Sequence, residues 1–202
     1  MNIVVCIKQV PDTTEIKIDP VKNTLIRTGV PSIMNPFDKN ALETGLALKA
    51  RYGGKVTVIS MGPPQAKAVL REALAMGADE AYLVTDRAFG GSDTYATSYI
   101  LSQAIKKLGA YDVILGGKQA IDGDTAQVGP QLAEKLGLPQ VTYVEEFEIA
   151  DNLKDITVKR QLEDGYELIE LQTPCMLTTI KELNDPRFAP QPKKATNRVT
   201  QP

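Results

Sequence analysis

The chain has 202 residues, 43% hydrophobic and 24% charged, with a formal net charge of −2 and a pI near 5.3. That charge, the lack of Trp and only 5% aromatics argue against a basic, base-stacking nucleic-acid surface. With no His at all, His acid–base catalysis, Ser-His-Asp and Cys-His nucleophiles and most zinc sites are excluded.

In chain order, Asn2 to Val10 is a short apolar run, a candidate buried first strand. It has no charged start, long apolar stretch or small-residue cleavage site, so a signal peptide is not expected. Glu15–Ile18 and Leu25–Thr28 alternate around Asp19-Pro20-Val21-Lys22-Asn23, a hairpin signature. Asn35-Pro36 then pairs an N-cap residue with Pro at the first helical position, predicting a helix from Pro36 to Tyr52 closed by Gly53-Gly54. Lys55–Met61 reads as a strand, and Pro63-Pro64 opens a helix that Gly77 stops after Met76. Glu80–Val84 is the next strand. Ser92 or Asp93 caps a helix to Leu108, followed by Gly109. Tyr111–Leu115 is a further strand, and Asp124–Leu136 a helix closed by Gly137. This alternation predicts an α/β fold, a Rossmann-like, mostly parallel sheet with helices on both faces.

After Pro139 the pattern changes. Val141–Ile149, Ile156–Leu162, Tyr166–Leu171 and Cys175–Ile180 read as strands with tight turns, Glu163-Asp164-Gly165 the clearest. They predict an antiparallel C-terminal extension of the same sheet. The domain is expected over 1–183. From Asn184 to Pro202, Pro, Lys, Gln and Asn dominate without an apolar period, which predicts a mobile or partner-clasping tail. No apolar run has the length of a membrane span, so a soluble, cytoplasmic protein with no membrane insertion is expected. Cys6 and Cys175 lie far apart in apolar runs, where a free Cys is usually a small buried hydrophobe.

The most informative stretch is Gly116 to Gly129, a polar, glycine-containing segment between a strand and a helix. That arrangement presents backbone N–H groups and a helix dipole to a phosphate. It also falls at the carboxyl end of a strand, where open α/β sheets bind ligands. It matches neither the Walker loop nor the Gly-x-Gly-x-x-Gly fingerprint. A tight turn needs glycine for backbone reasons alone. Asp122 and Asp124 could meet a metal, but acidic residues near a helix start are more often caps, and no metal site is expected. Two more turns, Asn35-Pro36-Phe37-Asp38 and Met61-Gly62-Pro63-Pro64, also link extended segments to helices. All three could converge on one edge of the sheet. No catalytic residue is expected.

At these residues the chain resembles the beta subunit of electron-transfer flavoproteins. The matching segments are Val4–Val10, Met34–Phe37, Ala73–Asp79, Gly117–Asp124 and the strand pattern from Val158-Lys159-Arg160 through Glu163-Asp164-Gly165 and Glu170 to Pro174–Thr178. The resemblance runs from Met1 to about Phe188. It implies an adenine-nucleotide site. Cys6 would lie beside the adenosine. Asn35, Pro36, Phe37, Asp38 and Met61 would line its pocket. Gly117, Lys118, Gln119, Ala120, Ile121, Asp122, Gly123, Asp124, Thr125, Ala126, Gln127 and Val128 would wrap the phosphates.

The resemblance further implies a heterodimer with an alpha subunit. In simple carriers this subunit holds AMP; in bifurcating members it holds a second FAD. The Asp122-Gly123-Asp124-Thr125 sequence and Val10-Pro11-Asp12-Thr13 resemble the bifurcating members, whose partners are NADH, ferredoxin and an acyl-CoA dehydrogenase-type protein. Gly123 removes bulk and a negative charge that would oppose an FAD pyrophosphate. FAD is therefore the expected cofactor, with AMP in a simple carrier as the alternative. A stress-type nucleotide-binding module of similar fold is a third reading. Family members usually continue past Pro202 with an arm packing on the alpha subunit. The docking loop, here about Asn184–Pro192, carries Gln191 where simple carriers often place an apolar anchor.

Overall fold

The computed structural model describes residues 1–12, 17–18, 25–26 and 31–189, with 17–18 and 25–26 described by their backbone alone. Its centre is an eight-stranded sheet in the order β11-β10-β9-β12-β8-β1-β6-β7. These strands are β1 (Asn2–Cys6), β6 (Lys55–Met61), β7 (Glu80–Val84), β8 (Val113–Gly117), β9 (Gln140–Ile149), β10 (Asp155–Leu162), β11 (Gly165–Gln172) and β12 (Cys175–Thr179). The short strands β2 (Gln9–Pro11) and β5 (Ser32–Met34) pair with each other, as do β3 (Lys17–Ile18) and β4 (Leu25–Ile26). The expected first strand therefore divides after Cys6. The expected hairpin is present where β3 and β4 pair, and its turn lies outside the described residues.

β1 lies between β6 and β8 and is parallel to both. Its apolar run is continuous because a central parallel strand is covered on both faces. Ile3 and Val5 join one buried cluster with Leu42 and Leu46 of helix α1 (Pro36–Tyr52) and Leu70 of α2 (Lys67–Met76). Val4 joins the opposite cluster with Leu101 and Ile105 of α3 (Thr94–Leu108) and Leu132 of α4 (Val128–Leu136). So α1 and α2 cover one face, and α3 and α4 the other. The alternation is the two-residue period of a strand read out as two cores. Burying one such leucine or isoleucine stabilises by about 1.5–3 kcal/mol.

Helix α1 keeps its predicted bounds, with Pro36 in its first turn and Gly53 closing it at φ 71°. Its Gly45 lets it ride close on β1: a Cβ there would stand 3.1 Å from Val5 Cγ2 and 3.3 Å from Ile3 Cγ2.

Three further expectations change. The C-terminal strands are not all an antiparallel extension. β12 returns to the middle, parallel to both β8 and β9, and only β9-β10-β11 are antiparallel to one another. The fourth core strand ends two residues later than expected, at Gly117. Helix α4 starts at Val128 rather than Asp124, because Asp124 and Ala126 hold positive φ of 48° and 53°, incompatible with a right-handed helix.

The stretch 184–189 is tied to α1. The Asn184 amide donates to Thr44 Oγ1 (2.8 Å) and the Asn40 carbonyl (3.1 Å). Arg187 donates to both carboxylate oxygens of Glu43, each at 2.7 Å. Phe188 beside it is 96% exposed. Gln191 lies outside the described residues. Among the described residues, no helix is long and apolar enough to cross a membrane.

Candidate functional site

Strand order reverses around β1. From it the chain crosses through α1 to β6 on one side, while β8 and β12 lie on the other. The carboxyl ends of strands flanking such a reversal leave a crevice between their turns. A cleft of about 900 Å³ lies there, near the upper end of the usual range for small-molecule sites, about 300–1,000 Å³.

Two buried side chains at the start of α1 build its floor. Asp38, 6% exposed, accepts the backbone N–H of Lys8 (2.7 Å) and of Gly117 (3.0 Å). One carboxylate thus ties the end of β8 to the stretch that follows β1. Asn35 has no exposed surface. Its amide donates to the Gln119 carbonyl (2.8 Å), and its Oδ1 accepts from Ile121 N–H (3.2 Å). Asn35 was expected to cap α1, yet its side chain makes no cap bond. It holds the loop between β8 and α4 instead.

Burial pushes the Asp38 carboxyl up to about 7, against the hydrogen bonds from Asn35, Lys8 and Gly117, which favour the charged form. The folded carboxyl therefore binds its proton more tightly than the unfolded one, whose ordinary value is 3.8. The stability linked to that proton is present below the unfolded value and is lost as pH rises through about 7. Asp38→Asn is expected to lower stability by about 1–3 kcal/mol, since one N–H loses its acceptor, and to flatten the pH slope in that window. Urea unfolding across the window measures both. A slope identical to that of the unaltered protein contradicts the assignment.

The loop itself shows how each cation is employed. Lys8 Nζ reaches both Asp122 oxygens, at 2.7 and 2.9 Å. Lys118 Nζ lies over the rings of Phe37 (4.9 Å) and Tyr143 (5.4 Å), a cation–π arrangement. Gln119 donates to Asp124 Oδ1 (2.8 Å). Asp122 and Asp124 do not cap α4, then, but brace the loop. No side chain caps α4, and Val128 and Gly129 of its first turn line the cleft. First-turn N–H groups have no partner within their own helix, so this end is open to an anion. Gly123 lines the cleft too, and a Cβ on it would meet nothing within 4 Å.

Of the residues singled out in the sequence, the cleft gathers Cys6, Asn35, Asp38, Met61, Gly117, Lys118, Gln119, Ala120, Gly123, Asp124, Thr125, Ala126, Gln127 and Val128. Pro36, Phe37, Ile121 and Asp122 are not in its lining. Phe37 backs Lys118, Ile121 bonds Asn35, and Asp122 pairs with Lys8. The Cys6 thiol is pushed up to about 12, first by burial and then by Asp38. It stays a neutral thiol there and is no nucleophile.

The sequence alone does not reveal the opposite wall, Thr85–Arg87 and Phe89–Thr94 with Thr97. Its signal is Gly90-Gly91-Ser92-Asp93, another strand-to-helix turn, which the capping role of Asp93 masks. Asp93 does cap α3, accepting from Ala96 N–H at 2.8 Å. The two walls are linked, because Thr94 Oγ1 donates to Gln127 (3.3 Å) and accepts from Gln131 (3.2 Å).

Fold and cleft together define a Rossmann-like α/β protein with a ligand crevice at the carboxyl edge of its parallel strands. Comparison with known proteins narrows this. Residues 22–202 match the electron transfer flavoprotein domain. The chain is 67% identical over 189 residues to electron transfer flavoprotein subunit beta of Clostridium acetobutylicum, covering 93% of this chain and 71% of that one. It is 62% identical over 189 residues to the caffeyl-CoA reductase-Etf complex subunit CarD of Acetobacterium woodii, with the same coverage. It is 51% identical over 192 residues to protein FixA of Azorhizobium caulinodans, covering 93% of this chain and 68% of that one. The chain belongs to the electron transfer flavoprotein family, among its beta subunits.

Proposed function

We propose that the cleft holds FAD and that the chain, joined to an alpha subunit, takes electrons from NADH and divides them between ferredoxin and an acyl-CoA dehydrogenase-type partner. The observation that carries this reading is the open end of α4 facing a large cleft. Its first-turn N–H groups lack a side-chain cap, and the space above Gly123 is free. A pyrophosphate is the group such an end attracts. The cleft, at about 900 Å³, lies near the upper end of the usual range for small-molecule sites, which suits a large ligand.

FAD supplies the two-electron chemistry with NADH and the one-electron chemistry beyond it. The residues supply position and electrostatics. Asn35 and Asp38 fix the loop and strand ends. Gly117 lets α1 close on the end of β8, and Gly123 leaves the space at the loop free. Thr125 to Gly129 offer backbone donors. Asp122, paired with Lys8, keeps the rim from being strongly cationic. The likeness to a subunit of a caffeyl-CoA reductase complex supports a flavin dehydrogenase or reductase as partner.

The test is an anaerobic assay of the purified heterodimer. On this reading, NADH reduces ferredoxin only when the high-potential acceptor is also present. Ferredoxin reduction without that acceptor, or no oxidation of NADH, overturns bifurcation.

A further inference from the structure

Three cationic side chains line the described cleft: Lys8, Arg87 and Lys118. Lys8 is paired with Asp122, and Lys118 lies over two rings. Among the described residues, the Arg87 guanidinium makes no ion pair, side-chain hydrogen bond or ring contact.

Arg87 is also presented by a built turn. Asp86 Oδ1 accepts Ala88 N–H at 2.8 Å, Phe89 N–H reaches the Asp86 carbonyl at 3.1 Å, and Ser92 Oγ donates to the Phe89 carbonyl at 2.8 Å. The neighbouring turn is adjacent, since Gly62 N–H bonds the Val84 carbonyl at 3.1 Å. The cleft that Arg87 lines is apolar as well as polar: Phe89, Met61 and Leu101 contribute to its wall. The anion-seeking helix end belongs to the other wall, at α4.

A guanidinium is planar, weakly hydrated and able to stack or to fork its donors, unlike an ammonium. In a cleft walled in part by apolar side chains, and with the anion-seeking helix end on the other wall, it suits a flat, acceptor-rich ring. We propose that Arg87 is a binding residue for a planar heteroaromatic ring of the bound nucleotide. It is absent from the residues that the family resemblance carried over, and it deepens the nucleotide reading above, on which it rests. Adenine and isoalloxazine share the required chemistry.

The test is calorimetric titration of the nucleotide-stripped heterodimer with FAD and, separately, with AMP, using the unaltered complex, Arg87→Ala and Arg87→Lys. The expected result is at least tenfold weaker FAD binding by Arg87→Ala, with an unchanged melting temperature and little recovery in Arg87→Lys. Equal weakening of AMP assigns the contact to adenine. Weakening of FAD alone assigns it to the isoalloxazine. FAD affinity within twofold of the unaltered complex overturns the proposal. So does full recovery in Arg87→Lys with a loss that vanishes at high salt, which is the signature of a plain charge contact. If the unaltered complex binds neither nucleotide, the nucleotide reading itself falls, and that failure is distinct from the others.

Discussion

Gly117→Ala is expected to destabilise the protein by about 3 kcal/mol, lowering its melting temperature by about 10 °C, and to weaken nucleotide binding with it. The added Cβ would stand 2.5 Å from Asp38 Oδ1, 2.6 Å from Phe37 Cβ and 2.7 Å from the Phe37 carbonyl carbon. Neither neighbour can yield cheaply. Asp38 is fixed by the N–H groups of Lys8 and Gly117, and Phe37 lies in the first turn of α1. Either α1 retreats from β8 or the strand end moves, and the floor of the cleft opens. Gly123→Ala is the matched control, because its Cβ would meet nothing. Denaturant unfolding of both variants separates the cases. Equal stability for Gly117→Ala and the unaltered protein would contradict the close approach.

Gly123→Asp is expected to leave stability within about 0.5 kcal/mol while weakening FAD by about 2 kcal/mol, roughly thirtyfold. The reason is charge rather than shape. The side chain enters open space, so folding is spared. Its carboxylate then faces the pyrophosphate that the α4 end attracts on our reading. Because the site is open to water, salt should restore part of the loss. Titration at low and high ionic strength, with a melting curve on the same sample, reads both quantities. Unchanged FAD affinity would show that the pyrophosphate does not pass Gly123.

The sequence made most of the parallel core legible because its punctuation is strong. Pro36 and Gly53 bound α1, and the Gly77 stop bounds α2, as glycine and proline chemistry requires. The start of α4 was harder. Asp124 looks like a cap, but positive φ at Asp124 and Ala126 keeps the loop non-helical for four more residues. Pro130 was the better guide, since Pro belongs in a first turn and here stands third in α4.

The place of β12 is hidden for a different reason. Neighbours in sequence commonly pair, but its five residues are all buried. Such a two-sided run belongs to a covered, parallel position. At the site, the β8–α4 loop stood out by its glycines and polarity. The roles of Asn35 and Lys118 did not, because both depend on partners far away in the chain, Gln119 and Ile121 for one and Tyr143 for the other. The Thr85–Thr94 wall was hidden behind the ordinary explanation of its own helix cap.

What the cleft holds decides the role of the chain. The direct measurement is the nucleotide released on denaturing the co-purified heterodimer, quantified as FAD and AMP per complex. Two FAD and no AMP is the result expected of a beta subunit with a flavin of its own. One FAD with one AMP would contradict it and make this chain an AMP-holding subunit of a simple carrier.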